Sequence, residues 1–199
     1  MKKILSVILL LSCLLTVCSC SFIKDKLGIG GAATGLKAFE DAIKNCNASN
    51  VDVKSVVETE LGSLTSTIKA SYKEDGSATI TYTEEKWNDA LSATEELKTV
   101  KTYTFNRAAD GTYTGDVPAG LDLASVTASA AINFDPIKDV AVINEASDVL
   151  TATVPAANTA DVFGSAFSKD VNLEISLKTG VLNTIELTFE GGKITYVYG

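Results

Sequence analysis

Few residues in this chain are able to do chemistry, and their types narrow what that chemistry can be. Of the four cysteines, Cys13, Cys18 and Cys20 fall within the first 20 residues, and Cys46 stands apart. There is no histidine. That removes Ser-His-Asp and Cys-His activation of a nucleophile, histidine-ligated zinc and an imidazole base. Arg107 is the single arginine, so no arginine cluster exists to grip phosphate or carboxylate. The remaining acids of interest are Glu84-Glu85, Glu95-Glu96, and Asp135 with Asp139. Paired carboxyls can hydrolyse a glycoside, and acids arranged in a loop can hold calcium. Adjacent acids on a strand point to opposite faces, however, and no Asp-x-Asp-x-Asp-Gly loop is present. A solvated surface is the reading these acids favour. Trp87, among Glu84, Glu85 and Asp89 and near Tyr82, has the chemistry to stack on a sugar and equally to anchor a core or rim. No catalytic set, metal site or cofactor site emerges.

Cys20 is the thiol with a distinctive setting. Lys2 and Lys3 precede an almost unbroken apolar run from Ile4 to Val17. The run is shorter than the roughly 20 residues a spanning helix needs, and its flanks are those of an export signal. Val17-Cys18-Ser19 before Cys20 resembles the box of a bacterial lipoprotein signal peptide, in which a branched and a small residue precede an invariant cysteine. The resemblance implies cleavage after Ser19 and a diacylglyceryl group on Cys20. Leu10-Leu11-Ser12-Cys13 is a rival box, but it leaves too short an apolar run and an apolar mature start. Cys18 is a second rival, but Val17 stands just before it where a small residue is wanted, and an ordinary cleaved signal that leaves a secreted protein is a further alternative. Two acyl chains hold a protein stably on a membrane where one does not, so the expected location is the extracytoplasmic face of a bacterial cell membrane.

Charge points the same way. The chain carries 17 Lys+Arg against 25 Asp+Glu, a net −8, and loss of Lys2 and Lys3 with the leader takes this to −10. Such a surface repels phosphate backbones and anionic headgroups, which disfavours nucleic-acid binding. With Cys20 acylated, Cys46 has no disulfide partner and reads as a small buried hydrophobe. About 180 residues then suffice for one domain with a real core.

The elements follow from spacing. Residues 1–19 are the leader, and 20–35 read as the lipidated cysteine and a glycine-broken tether spanning about 20 Å. Residues 36–199 form a single domain. Leu36, Phe39, Ile43 and Cys46 predict a helix over 36–47. Val53, Val56, Val57 and Leu61 repeat that spacing, with Asn50 and Gly62 as caps. Alternation then predicts a hairpin, 64–72 and 78–82, around Asp75-Gly76. Glu84 to Lys98 breaks the pattern, as a short helix with Trp87, Leu91 and Thr94 on one face or as a loop. A second hairpin, 99–105 and 112–114, turns at Asp110-Gly111. Further strands are expected at 125–134, 140–143 and 149–154, and a short helix within 155–167 with Pro155 at its start. A closing meander covers 171–177, 182–189 and 193–198. The fold class is α+β: an N-terminal helix packed on a curved, mostly antiparallel, half-barrel-like sheet, with one short helix inserted before a C-terminal three-strand meander.

That order of elements resembles the LolA and LppX/LprG-like lipoproteins, with Leu150-Thr-Ala-Thr-Val-Pro155, a helix and then 171–198 as the local match. The resemblance implies a half-barrel closed by helices that holds acyl chains inside. On the residues alone, Ile68, Tyr72, Ile80, Tyr82, Ala128, Ala130, Ile132, Leu187 and Phe189 are the candidate ligand-binding side chains of an inward face. Val126 and Ile185 belong to the same face. Space under such a sheet holds a ligand or a packed helix. Two readings stay open: an anchored carrier of an apolar, lipid-like molecule, and a solid-core, non-catalytic lipoprotein acting on an envelope protein or the wall. An enzyme built on carboxylates is the third and least supported.

Overall fold

The computed structural model describes residues 35–46, 48–59, 62–88, 98–118 and 132–199. The leader, Cys20, the tether up to residue 34, Leu61, Asp89, Leu91, Thr94, Glu95-Glu96, Val126, Ala128 and Ala130 lie outside these described residues.

The described residues begin with α1 (Leu36–Lys44), which turns Phe39, Ala42 and Ile43 into the core. Five strands follow: β1 (Asn50–Thr59), β2 (Gly62–Tyr72), β3 (Ala78–Asn88), β4 (Lys98–Arg107) and β5 (Tyr113–Gly115). Five more close the chain: β6 (Val142–Asn144), β7 (Val149–Val154), β8 (Val171–Lys178), β9 (Val181–Phe189) and β10 (Gly192–Tyr198). A 3-10 turn at Asp135–Ile137 precedes β6, and another at Ala156–Asn158 leads into the five-residue α2 (Thr159–Phe163). All ten strands form one antiparallel sheet in the order β5-β4-β3-β2-β1-β10-β9-β8-β7-β6.

The sheet is therefore two meanders joined back to back. Within each, strands consecutive in sequence pair with one another, and the first strand then pairs with the last, from Val51 opposite Tyr198 to Val57 opposite Gly192. Reciprocal 2.9 Å hydrogen bonds between Asn50 and Gly199 finish that seam. Register carries one apolar row across it: Leu150, Ile175, Ile185, Tyr196, Val53, Ile68, Tyr82 and Tyr103 are successive partners on eight strands. All but Tyr103 are buried. Complete burial of each aliphatic side chain in the row is worth about 1.5–3 kcal/mol.

The Asp-Gly turns form where expected, each held by an aspartate. Asp75 Oδ1 accepts the Ser77 N–H at 2.9 Å, and Asp110 Oδ1 accepts both the N–H and the hydroxyl of Thr112. These bonds hold both carboxyls below the usual carboxylate range. The β2–β3 connection spans five residues, Lys73 to Ser77. Arg107 donates to Gly76 O at 3.1 Å and so ties that turn to its own hairpin.

Three expectations fail. Residues 53–59 form no helix. β1 runs through them, with Val51, Val53 and Ser55 on the buried face. Its valines are β-branched and suit a pleated surface, and pairing on both sides decides against the helical spacing. Gly62 opens β2 and caps nothing. Glu84 to Asn88 continue β3, so Trp87 sits on a strand. Ile132 to Phe134 are not a strand either. Pro136 follows closely, cannot donate to a ladder, and lies in the 3-10 turn, whose Ile137 is buried beside Ile132 and Phe134 in the core.

The seam also imposes a close approach at Gly192. A Cβ there would lie 2.9 Å from Val56 O and against the Phe189 ring. Gly192→Ala is expected to destabilise the fold by about 1–3 kcal/mol through this overpacking, read as a lower midpoint of chemical unfolding. An unchanged midpoint would show that the β1–β10 backbone can open locally.

Candidate functional site

Alternation along the strands gives the sheet an inner, apolar face and an outer, polar one. On the inner face of β1–β4, Val53, Ile68, Ala70, Ala78, Ile80 and Phe105 are buried, and so is Tyr82. Tyr82 stacks against Tyr103 with ring centroids 6.1 Å apart. Tyr72 lies half-buried at the far end of the same face, in register with Ala78, Arg107 and Tyr113. Leu187 faces the same side but belongs to the other half, and Ile132 reaches the core from an irregular segment. Phe189 packs on Phe167 at 5.2 Å, and Phe167 on Phe163 of α2 at 5.9 Å. The candidate residues are thus divided between two halves of one inner face.

The halves differ in what lies against them. α1 packs on β8 and β9, and α2 packs on the two 3-10 turns. Among the described residues neither helix takes β2, β3 or β4 as a main partner.

The β1–β4 half also carries a polar row that the alternation had not singled out. Ser55, Ser66 and Glu84 are successive cross-strand partners, one register step from the Val53, Ile68 and Tyr82 row. Neighbouring strands lie about 4.8 Å apart, so the three side chains line up within about 10 Å. Ser55 is 1% exposed and Ser66 4%, while Glu84 is half-buried. Tyr82 donates from its phenol to Glu84 Oε2 at 3.2 Å. The Ser55 hydroxyl has no hydrogen-bond partner among the described residues. Burial pushes the Tyr82 phenol up to about 12, against the pull of Ser66 and with the help of the Glu84 carboxylate.

Other candidates lie on the outer face. Glu84 and Glu85 point to opposite sides, as adjacent strand residues must. Trp87 is 44% exposed. Its Nε1 donates to Glu85 Oε1 at 2.6 Å, and Lys98 Nζ sits 4.9 Å over the ring and 3.0 Å from Glu85. The bond from Trp87 and then the Lys98 ammonium hold the Glu85 carboxyl below its ordinary value. An open groove of about 320 Å³ crosses β7–β9, lined by Val140, Val142, Thr151, Thr153, Glu174 and Glu186 among others. Glu174 and Glu186 face each other in register, and Lys193 pairs with Glu186 at 2.6 Å. Asp135 and Asp139 are exposed around the 3-10 turn. Among the described residues no three metal-ligating side chains come together, and Cys46 is buried.

No protein-family model matches the sequence, and no curated protein does. The structure is similar to that of LprF from Mycobacterium bovis, with a TM-score of 0.36 and 12% identity over 82% of this chain and 89% of that one. A likeness at that level assigns neither family nor activity.

Tyr82 offers a direct check of the inner face. Its phenol is protonated in the fold up to about pH 12 and in the unfolded chain only to about 10. The folded state then holds the extra proton between those values, so this contribution to stability is complete below about pH 10 and declines as pH rises toward 12. Ultraviolet titration should show a late-titrating tyrosine component that is reduced by one residue in Tyr82→Phe. Loss of the missing tyrosine from the part of the curve near pH 10 would place Tyr82 in water.

Proposed function

We propose that the chain is a lipoprotein of a bacterial cell envelope, anchored through a diacylglyceryl group on Cys20, that binds an apolar, lipid-like ligand on the inner face of β1–β4. The observation that carries the ligand reading is the asymmetry of the inner face. One half is filled by α1 and the segments around α2. The other buries Ile68, Ile80, Tyr82 and Phe105, and among the described residues it has no helix as a main partner, which supports an apolar molecule as part of its cover. Burial of apolar ligand surface on such a face supplies the affinity. The reading includes no catalysis and no cofactor, consistent with a chain that lacks histidine.

The anchor reading rests on Val17 to Cys20 and the apolar run before it. Among the described residues no helix is long and apolar enough to cross a membrane, so attachment falls to the acylated cysteine. On sequence grounds, a glycine-broken stretch of about 15 residues behaving as a coil would give the domain about 20 Å of reach, enough to exchange a ligand with the bilayer or with an envelope protein.

A second reading, a solid-core lipoprotein acting through protein or wall contacts, is favoured by the outer groove on β7–β9, where Val140 and Val142 are 52% and 66% exposed.

The anchor is tested by fractionating cells that express the chain or its Cys20→Ala variant. The unaltered chain should sediment with membranes and incorporate an alkyne-tagged fatty acid. Cys20→Ala should lose the tag and its tight membrane association. A variant that still takes up the tag would move the anchor to another cysteine.

A further inference from the structure

We infer that the outer groove on β7–β9 is a docking site for an extended segment of an envelope protein, one in which an aliphatic residue stands two positions from a lysine or arginine. The inference rests on the second reading, contact with a protein, and is independent of any ligand on the inner face.

The groove offers about 320 Å³ and is open to solvent. One side of it is apolar. Val140 stands just before the edge strand β6 and Val142 opens that strand, and they are 52% and 66% exposed. Scattered exposed valines need no explanation, but these two line the same groove. The floor is the outer face of β7–β9. Val142, Thr151, Glu174 and Glu186 are successive cross-strand partners along it. Neighbouring strands lie about 4.8 Å apart, so the row passes from apolar to acidic within about 14 Å. Beside it runs a neutral row, Thr153, Asn172 and Thr188, in which the Thr153 hydroxyl donates to Asn172 Oδ1 at 2.9 Å.

Charge selects the occupant. Glu174 and Glu186 stand directly opposite each other, and like charges so placed destabilise a sheet. Lys193 meets Glu186 at 2.6 Å from β10, on the side away from Glu174. Among the described residues no lysine pairs with Glu174. A basic side chain brought by a partner supplies that charge, with its aliphatic stem lying over Thr151. An acidic segment would meet two carboxylates instead, and a small amine would leave Val140 and Val142 in water.

Spacing sets the pattern. Val142 and Glu174 lie two strands apart, about 10 Å. An extended segment advances about 6.6 Å over two residues and keeps both side chains on one face. The lysine stem covers the remaining distance. The segment meets the groove through its side chains and not by joining the sheet, because β6 offers only three residues of edge.

The test uses the full processed chain in a mild detergent and two short peptides, acetylated and amidated, one carrying Val-Ser-Lys and the other Ser-Ser-Lys. A water-soluble carbodiimide joins an ammonium to a carboxylate held against it, and the coupled sites are mapped by mass. Val-Ser-Lys should couple to Glu174 about fivefold more than to Glu74, an exposed acid on the β2–β3 turn, the upper end of what one exposed charge pair provides. Ser-Ser-Lys should show a preference below about twofold, because the apolar contact is lost. Val142→Ser removes no buried side chain and should bring Val-Ser-Lys down to the same ratio. Equal preference for the two peptides, or a preference that Val142→Ser leaves unchanged, would reveal attraction by the general negative charge and overturn the inference. A preferred carboxylate outside the groove would also overturn it, while leaving a protein contact elsewhere on the chain. No preferred carboxylate at all would overturn the docking site together with the groove's support for the second reading.

Discussion

The pairing of β1 with β10 is the interaction on which everything else depends. Each meander on its own is a five-strand sheet with a raw edge. Joining the first strand to the last abolishes both inner edges and leaves only the three-residue strands β5 and β6 outside, short enough to discourage pairing with other chains. The seam is a contact of maximal sequence separation, closed by Asn50 and Gly199. It turns two partial apolar faces into one continuous row and sets the phase of β1, which places Ser55 inward. Formation of this pairing carries the full loop-closure cost of the chain, so the local hairpins are the natural elements to form before it.

Once the seam exists, the inner face has two unlike halves. The one built from β7 to β10 is closed by α1, α2, the 3-10 turns and the Phe163–Phe167–Phe189 stack. The one built from β1 to β4 is apolar but interrupted by the serine and glutamate row. A solid core would gain from replacing that row with aliphatic side chains, because unsatisfied buried polar groups are costly and buried methylenes are not. Within the row the Tyr82 phenol bonds Glu84, and the Ser55 hydroxyl has no partner among the described residues. The outer face is of another kind, with Thr, Glu and Lys side chains and ion pairs that are largely solvated and contribute little to stability.

Much of the fold was legible in the sequence, for identifiable reasons. The Asp-Gly turns, the β8–β10 meander and α1 announce themselves through turn chemistry and clean periodicity. β1 does not. Val53, Val56, Val57 and Leu61 fit a helical stripe, and only the partner strand, some 140 residues away in sequence, resolves the ambiguity. Local pattern cannot see long-range pairing, which is why tertiary context overrides propensity there. The end of β3 was hidden by charge, since Glu84-Glu85-Lys86 reads as a break when a strand has one wet face and a rim. Those same two errors concealed the polar row. A period-two reading of Val51, Val53 and Ser55, and of Ile80, Tyr82 and Glu84, would have placed Ser55 and Glu84 inward. Ile68, Ile80 and Tyr82 were accessible because their alternation is undisturbed. Ile132 reaches the core from an irregular segment ahead of Pro136, and no repeat marks such a position.

The central claim is that the inner face of β1–β4 takes an apolar ligand. It is tested most directly by native mass spectrometry of the chain as a bacterial host exports and processes it, released in a mild detergent. The account predicts a one-to-one adduct of lipid mass beyond the covalent anchor, lost when the protein unfolds. The processed mass alone, together with no displacement of a fluorescent long-chain alcohol, would contradict it and leave a solid-core interaction protein.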